Sequence, residues 1–219
     1  MTNILLSMFY PKEKWSESLE RLLENKKILV LAFSFAEEFI RNSQEWSDKY
    51  GAPSGEYYVS MIESFSSYGV PVENIFFANY FEDNPEKLKN EIQSFDILFF
   101  PGGAPDELFK RIEEFNLTDK IKKFKGTVIG FSAGAMVQIK DFHLTPDGHY
   151  TEYTYHEGLG LIDSFDIEVH FEENDKVMRD SINRCIKETQ KPVYAIGDKG
   201  AVLVDQGKII TLGDVKKYQ

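Results

Sequence analysis

Residues 126–137 read Gly126-Thr127-Val128-Ile129-Gly130-Phe131-Ser132-Ala133-Gly134-Ala135-Met136-Val137. A β-branched apolar run feeds a Gly-x-Ser-x-Gly turn, and Ala133 to Lys140 are helix formers able to start a helix at once. The stretch therefore predicts a strand, an elbow and a helix. In such an elbow the turn residue is strained, glycines flank it because a Cβ would collide, and its side chain is pushed out above the sheet edge. That side chain belongs to Ser132. The N-terminus of the following helix turns free backbone N–H groups toward the hydroxyl, an arrangement suited to a developing negative charge. The same glycines also have a purely structural reading, in which Gly130 and Gly134 let a strand and a helix pack closely.

Upstream, Lys27 to Phe33 and Phe95 to Phe100 are continuous apolar runs, as expected of strands buried on both faces of a parallel sheet. Residues 3–8 and Val72 to Asn79 add two more strands. Helical spacing marks Lys12 to Glu24, two helices within 36–68 parted at Gly51 to Gly55, and the segments Ala104 to Phe115 and Leu117 to Phe124. Asn84 and Pro85 read as N-cap and first residue of a helix reaching Ser94. Downstream of the elbow, Asp141 to Gly160 breaks into short strands and turns, followed by a strand at Phe165 to Phe171 and a helix at Asp175 to Thr189. Val193 to Ile196 reads as a strand leading into a turn at Gly197 to Gly200, and Ala201 to Leu212 as a β-hairpin. This alternation predicts one α/β domain over residues 1–219: a doubly wound, mostly parallel sheet flanked by helices, with a C-terminal β-hairpin.

A chain of 219 residues buries enough surface to fold without staples, and its one cysteine, Cys185, excludes an intrachain disulfide. Cys185 falls in a helical segment and reads as a packed, inert thiol. No signal-peptide pattern or membrane-length apolar run occurs, and a cytoplasmic protein is expected. The net charge of −11 argues against a nucleic-acid partner, because phosphate binding needs clustered Lys and Arg. The one basic cluster, Lys120 to Lys125, reads as the solvated face of a short helix.

Ser132 needs a base within hydrogen-bond reach and a group to orient that base. Of four histidines, His143 and His149 flank the Pro146-Asp147-Gly148 turn and read as solvated loop residues, and His156 lies in the irregular stretch. His170 ends a strand, on the edge where an open parallel sheet places its ligand crevice and where the elbow opens. Asp198 follows the next strand and is the candidate carboxylate behind His170, with Glu168, Glu172, Asp141 and Asp147 as alternatives. Gly102 and Gly103 end the strand before the elbow strand, so a glycine N–H there could join that of Ala133 in a two-donor oxyanion hole. The order Ser132, His170, Asp198 differs from the nucleophile, acid, histidine order of α/β-hydrolases.

With these residues in place the chain resembles peptidase family S51, the dipeptidase E and cyanophycinase group, built on the class I glutamine amidotransferase-like, flavodoxin-like fold. The resemblance rests on Phe100-Pro101-Gly102-Gly103, Gly130-Phe131-Ser132-Ala133-Gly134-Ala135, Val169-His170-Phe171 and Ile196-Gly197-Asp198-Lys199-Gly200. It implies a serine nucleophile at Ser132, a general base at His170, an acid near Asp198 and oxyanion donors at Gly103 and Ala133. It also implies substrate contacts from Gly102 and Ala104, and from Arg179 as the positional candidate for an arginine that meets the substrate carboxylate. No metal or cofactor is implied, and the partner is a small peptide-like substrate. Family members carry an asparagine and a threonine in the glycine loop where this chain has Ala104-Pro105-Asp106, and a glutamate is frequent where it has Asp198. The expected activity is hydrolysis of a peptide or related amide bond through an acyl-enzyme. The alternatives are an amidase or esterase acting on a non-peptide substrate and a non-catalytic binding or regulatory protein. A monomer and a homodimer are both compatible with the pattern. Tyr150, Tyr153 and Tyr155 are read as exposed residues of a dimer contact or a substrate cleft.

Overall fold

A computed structural model describes residues 1–219. Five strands form its parallel core: β1 (Thr2–Leu6), β2 (Ile28–Leu31), β3 (Ile75–Ala78), β4 (Ile97–Phe100) and β5 (Thr127–Phe131). They lie in the order β1-β5-β4-β2-β3. The runs that read as continuously apolar are buried along their whole length in β2 and β4, as strands covered on both faces must be. Connecting them are α1 (Glu20–Leu23), α2 (Ser43–Tyr50), α3 (Glu56–Ser67), α4 (Pro85–Glu91), α5 (Pro105–Glu114) and α6 (Thr118–Lys122). One face of the sheet packs Ile4, Val30, Phe99 and Ile129 against Phe65 and Tyr68 of the α3 side. The other packs Leu31, Leu98, Phe100 and Val128 against Leu108 and Ile112 of α5. The N-cap of α4 forms as its sequence requires, with the Asn84 side chain accepting from the Lys87 N–H and Pro85 at the first helical position.

Several elements are shorter than their patterns suggest. The first helix opens as a 3-10 turn over Lys14–Leu19, and Val72–Asn74 form a 3-10 turn after Pro71, so β3 begins only at Ile75. The helix after the elbow, α7 (Ala133–Met136), spans one turn where eight residues were expected. It stops because the chain leaves to bond elsewhere: the carbonyls of Val137 and Gln138 accept N–H groups from Leu159, Leu161 and Ile162.

The C-terminal part consists of β6 (Asp141–Leu144), β7 (Thr154–Glu157), β8 (Asp166–Val169), α8 (Lys176–Thr189), β9 (Val193–Asp205) and β10 (Lys208–Tyr218). β6 and β7 form a separate two-stranded hairpin. The expected turn at Gly197 to Gly200 is not a turn; those residues are the middle of the 13-residue strand β9. β10 pairs with one side of β9, with a bulge between Gly213 and Val215. The other side is shared: Val193 to Ile196 pair parallel with β8, and Ala201 to Asp205 pair antiparallel with β1. β8 and β1 therefore point their carboxyl ends at each other across residues 197–200. This arrangement creates the crevice in which the site lies.

At the elbow a methyl on Gly130 would run into the Gly134 carbonyl, and one on Gly134 into the Phe100 carbonyl. Both readings of the glycines hold: they permit the turn and they let α7 press against β4 and β5. Gly134→Ala is expected to cost about 1–3 kcal/mol by overpacking backbone against backbone, measurable as a lower urea midpoint with unchanged m-value.

Candidate active site

Ser132 has φ 50° and ψ −119°, a region that L-residues avoid. Its N–H donates to the Leu6 carbonyl at 2.9 Å, so the end of β1 holds the elbow in place. The hydroxyl faces His170: Oγ lies 3.0 Å from Nε2. His170 follows the last residue of β8 and also has positive φ, 54°. The left-handed turn swings its ring off the strand axis toward the crevice. Its Nδ1 lies 2.9 Å from Asp198 Oδ1. Asp198 sits in the stretch of β9 between its pairing with β8 and its pairing with β1, so neither strand covers it. The His170 and Asp198 side chains keep 39% and 55% of their surface exposed, so the pair is open to solvent and screened by it.

The glycine loop sits beside this line. β4 and β5 are neighbours in register, Phe100 beside Gly130, and a methyl on Gly102 would meet the Phe131 ring. Gly103 has φ 137°, which a side chain could adopt only with strain, and a Cβ there would strike the Ser34 carbonyl. Neither the Gly103 nor the Ala133 N–H donates to another backbone group. Ala104 differs, because its N–H is taken by the Ser34 carbonyl at 2.6 Å. Arg179 donates to the Glu173 carbonyl in the loop after His170, and no hydrogen bond or ion pair joins it to Ser132, His170 or Asp198. A hydroxyl, an imidazole and a carboxylate in hydrogen-bonded sequence, with two free N–H groups nearby, can carry out acyl transfer: deprotonation of the hydroxyl, attack, and stabilisation of the resulting oxyanion.

The alternative acids lie elsewhere. Asp147 Oδ1 accepts the N–H groups of His149 and Tyr150 in the tip of the β6–β7 hairpin, and Asp141 and Glu172 are exposed. Glu168 serves a different histidine. The expectation that His143 is a solvated loop residue is wrong: it is 1% exposed, and Asp166 Oδ2 lies 2.8 Å from Nδ1 while Glu168 Oε2 lies 3.0 Å from Nε2. Asp166 and Glu168 point to the same side of β8, as residues two apart on a strand do. Thr145 donates its hydroxyl to Glu168 at 2.6 Å, and the Cys185 thiol donates to Asp166 at 3.3 Å. Tyr153 stacks on the His143 ring, and Arg184 lies over Tyr153. His143, Asp166 and Cys185 place possible metal-ligand atoms within 4.8 Å of one another. Each ring nitrogen of His143 nevertheless already faces a carboxyl oxygen, an arrangement that favours the imidazolium form and leaves neither nitrogen open to a metal.

Burial alone would push the His143 imidazole down; the charge and hydrogen bond of Asp166, with Cys185 and Glu168, outweigh it and hold His143 well above its ordinary value. A raised folded-state pKa contributes stability that is fully present below about pH 6.5, the unfolded value, and is lost as pH rises through the folded value. Urea unfolding across pH 6 to 10 is expected to show that alkaline decline. His143→Gln should remove it and cost about 3–5 kcal/mol at neutral pH by leaving two buried carboxylates uncompensated.

His149 is exposed, as expected of a loop residue, and the other aromatic and histidine expectations change in part. His156 lies in β7, half-buried, with Nε2 3.0 Å from the Thr154 hydroxyl. Tyr150 and Tyr153 are half-buried, Tyr150 donating to Asp106 at 3.2 Å and Tyr153 to Tyr155 at 2.9 Å, whereas Tyr155 is exposed as expected. Tyr150 is pushed well up by burial and by the Asp106 carboxylate.

Two solved structures share the architecture. One, from Listeria monocytogenes EGD-e and assigned to peptidase E, is 16% identical with a TM-score of 0.65, the match covering 96% of each chain. The other, a peptidase from an acI-B1 actinobacterium, is 18% identical with a TM-score of 0.63, covering 99% of this chain and 93% of that one. At these identities the likeness is one of fold. Among curated proteins, none matches the chain. The family model of peptidase family S51 matches residues 51–212, a span that includes the elbow, His170 and Asp198, and the chain belongs to peptidase family S51.

Proposed function

We propose that the protein is a serine hydrolase that cleaves a peptide or related amide bond in a small substrate through an acyl-enzyme. The observation that carries the reading is the unbroken line from Ser132 Oγ through His170, 3.0 Å on one side and 2.9 Å on the other, to Asp198. In this reading His170 Nε2 takes the Ser132 proton as Oγ attacks the carbonyl carbon. The carbonyl oxygen becomes an oxyanion facing the Gly103 and Ala133 N–H groups. His170 then gives its proton to the departing amine, and water attacks the acyl-serine with His170 again as base. Asp198 holds the Nδ1–H tautomer and offsets the imidazolium charge that forms in both steps.

The substrate side departs from the family pattern. Asp106 places a carboxylate at the start of α5, and the net charge of −11 adds to a negative field. We therefore expect neutral or cationic dipeptides to be preferred over aspartyl dipeptides. Initial rates on a panel of aspartyl, neutral and lysyl dipeptides, run beside p-nitrophenyl esters, test this. Fastest turnover of the aspartyl members would contradict the specificity reading, and turnover of esters alone would move the assignment to an esterase. A cytoplasmic location belongs to the same proposal, and a lone cysteine, which forms no intrachain disulfide, agrees with it.

A further inference from the structure

The residue after β1, Ser7, is fully buried and polar. It lies outside the span matched by the family model. Its hydroxyl oxygen accepts the backbone N–H of His170 at 2.6 Å and lies 3.4 Å from His170 Nδ1. The contact joins residues 163 apart in sequence, and the topology explains it. β1 and β8 meet head to head along one side of β9, so the first residue past each strand end falls beside the other. The preceding position behaves alike: the Leu6 carbonyl accepts the Ser132 N–H. Two consecutive residues at the end of β1 thus hold the backbones of the residues proposed as nucleophile and base.

Both held residues have positive φ, where L-residues are strained and persist only if the surroundings over-determine them. A left-handed residue at a strand end also turns its N–H away from the ladder, so it needs an acceptor from outside the sheet. For His170 that acceptor is Ser7 Oγ. The same oxygen lies on the Nδ1 side of the ring, where the dipole of a hydroxyl supports the Nδ1–H that Asp198 accepts.

We infer that Ser7 is a positioning residue for His170: it fixes the left-handed turn that aims Nε2 at Ser132 and Nδ1 at Asp198. Its catalytic consequence rests on the roles of Ser132, His170 and Asp198 proposed above, whereas its hold on the His170 backbone does not. Ser7→Ala tests both. The contact is read by amide hydrogen exchange of the folded protein, where the His170 N–H is expected to exchange about tenfold faster or more while core amides keep their protection. The consequence is read by steady-state kinetics normalised to folded protein. There kcat is expected to fall about 10- to 100-fold with KM within about twofold, because misplacing the base by a fraction of an ångström acts on the chemical step. Ser7→Thr, which returns the hydroxyl, should recover both readouts.

Unchanged exchange at His170, or a kcat within about twofold of the parent, would overturn the assignment. So would KM rising in place of a fall in kcat. If the parent protein itself hydrolyses none of the substrates, the catalytic reading fails, and the exchange measurement still decides whether Ser7 holds His170.

Discussion

Ser132→Ala is expected to lower kcat by about 10⁶-fold while leaving the fold and substrate affinity in place. The hydroxyl forms the covalent bond in the proposed reaction, and no neighbouring side chain replaces it: the nearest other hydroxyl in the network, Ser7, is buried behind His170 on its Nδ1 side. The backbone at position 132 keeps its hydrogen bond to Leu6 and its strained φ with either residue, since alanine has the same Cβ. Melting temperature should therefore move little. Residual hydrolysis of about 10³-fold over water, from the two oxyanion N–H groups and from binding, is expected to survive, as it does when a nucleophile is removed from a preorganised site. Steady-state kinetics with active-site titration of the parent measures the ratio. A loss of less than about 10²-fold would mean that Ser132 is not the nucleophile.

Asp198→Asn carries the second largest expected effect, a fall in kcat of about 10³- to 10⁴-fold. The amide keeps the shape of the carboxylate but can present an N–H toward Nδ1, which favours the tautomer that leaves Nε2 protonated and unable to take the Ser132 proton. It also removes the charge that offsets the imidazolium. The effect is placed below that of Ser132 because Asp198 is 55% exposed, so water can partly screen and partly replace it. KM should be nearly unchanged, since Asp198 reaches His170 and not the substrate. An equal loss in Glu168→Gln would contradict the assignment, because Glu168 is bound to His143 and Thr145 and makes no hydrogen bond to His170.

Much of this site was legible in the sequence because its parts are local. The elbow needs only a β-branched run, a serine between two glycines and small residues after it, all within 126–137. The end of β8 was legible as the point where its apolar run stops, which put His170 on the same edge as Ser132; Asp198 was reached by reading as a strand end what is the middle of β9. Gly197 to Gly200 misled, because a Gly-Asp-Lys-Gly segment has turn composition, yet the glycines are there for another reason. A methyl on Gly197 would meet Asp214, and one on Gly200 the Asp214 backbone at the β10 bulge. That constraint comes from a partner strand and has no local signature.

The buried charge group was missed for the same reason. His143 lies three residues from a strong Pro-Asp-Gly turn and looked exposed, although the last three residues of its strand, Phe142-His143-Leu144, are buried. The signal available was in β8: Asp166 and Glu168 alternate with Ile167 and Val169 inside an otherwise apolar segment, and a strand buried on both faces cannot hold two carboxylates without a cation. Ser7 had no signal at all. Nothing about a serine at the end of an apolar strand tells of an amide 163 positions away.

The central claim is that Ser132 is an activated nucleophile, and covalent labelling with a fluorophosphonate, read by intact mass and peptide mapping, tests it most directly. One equivalent of adduct on the peptide containing Ser132 is predicted in the native protein, with none in Ser132→Ala, none after denaturation and a much slower reaction in His170→Ala. A folded native protein that takes up no label, or one whose label persists in Ser132→Ala, would contradict the account.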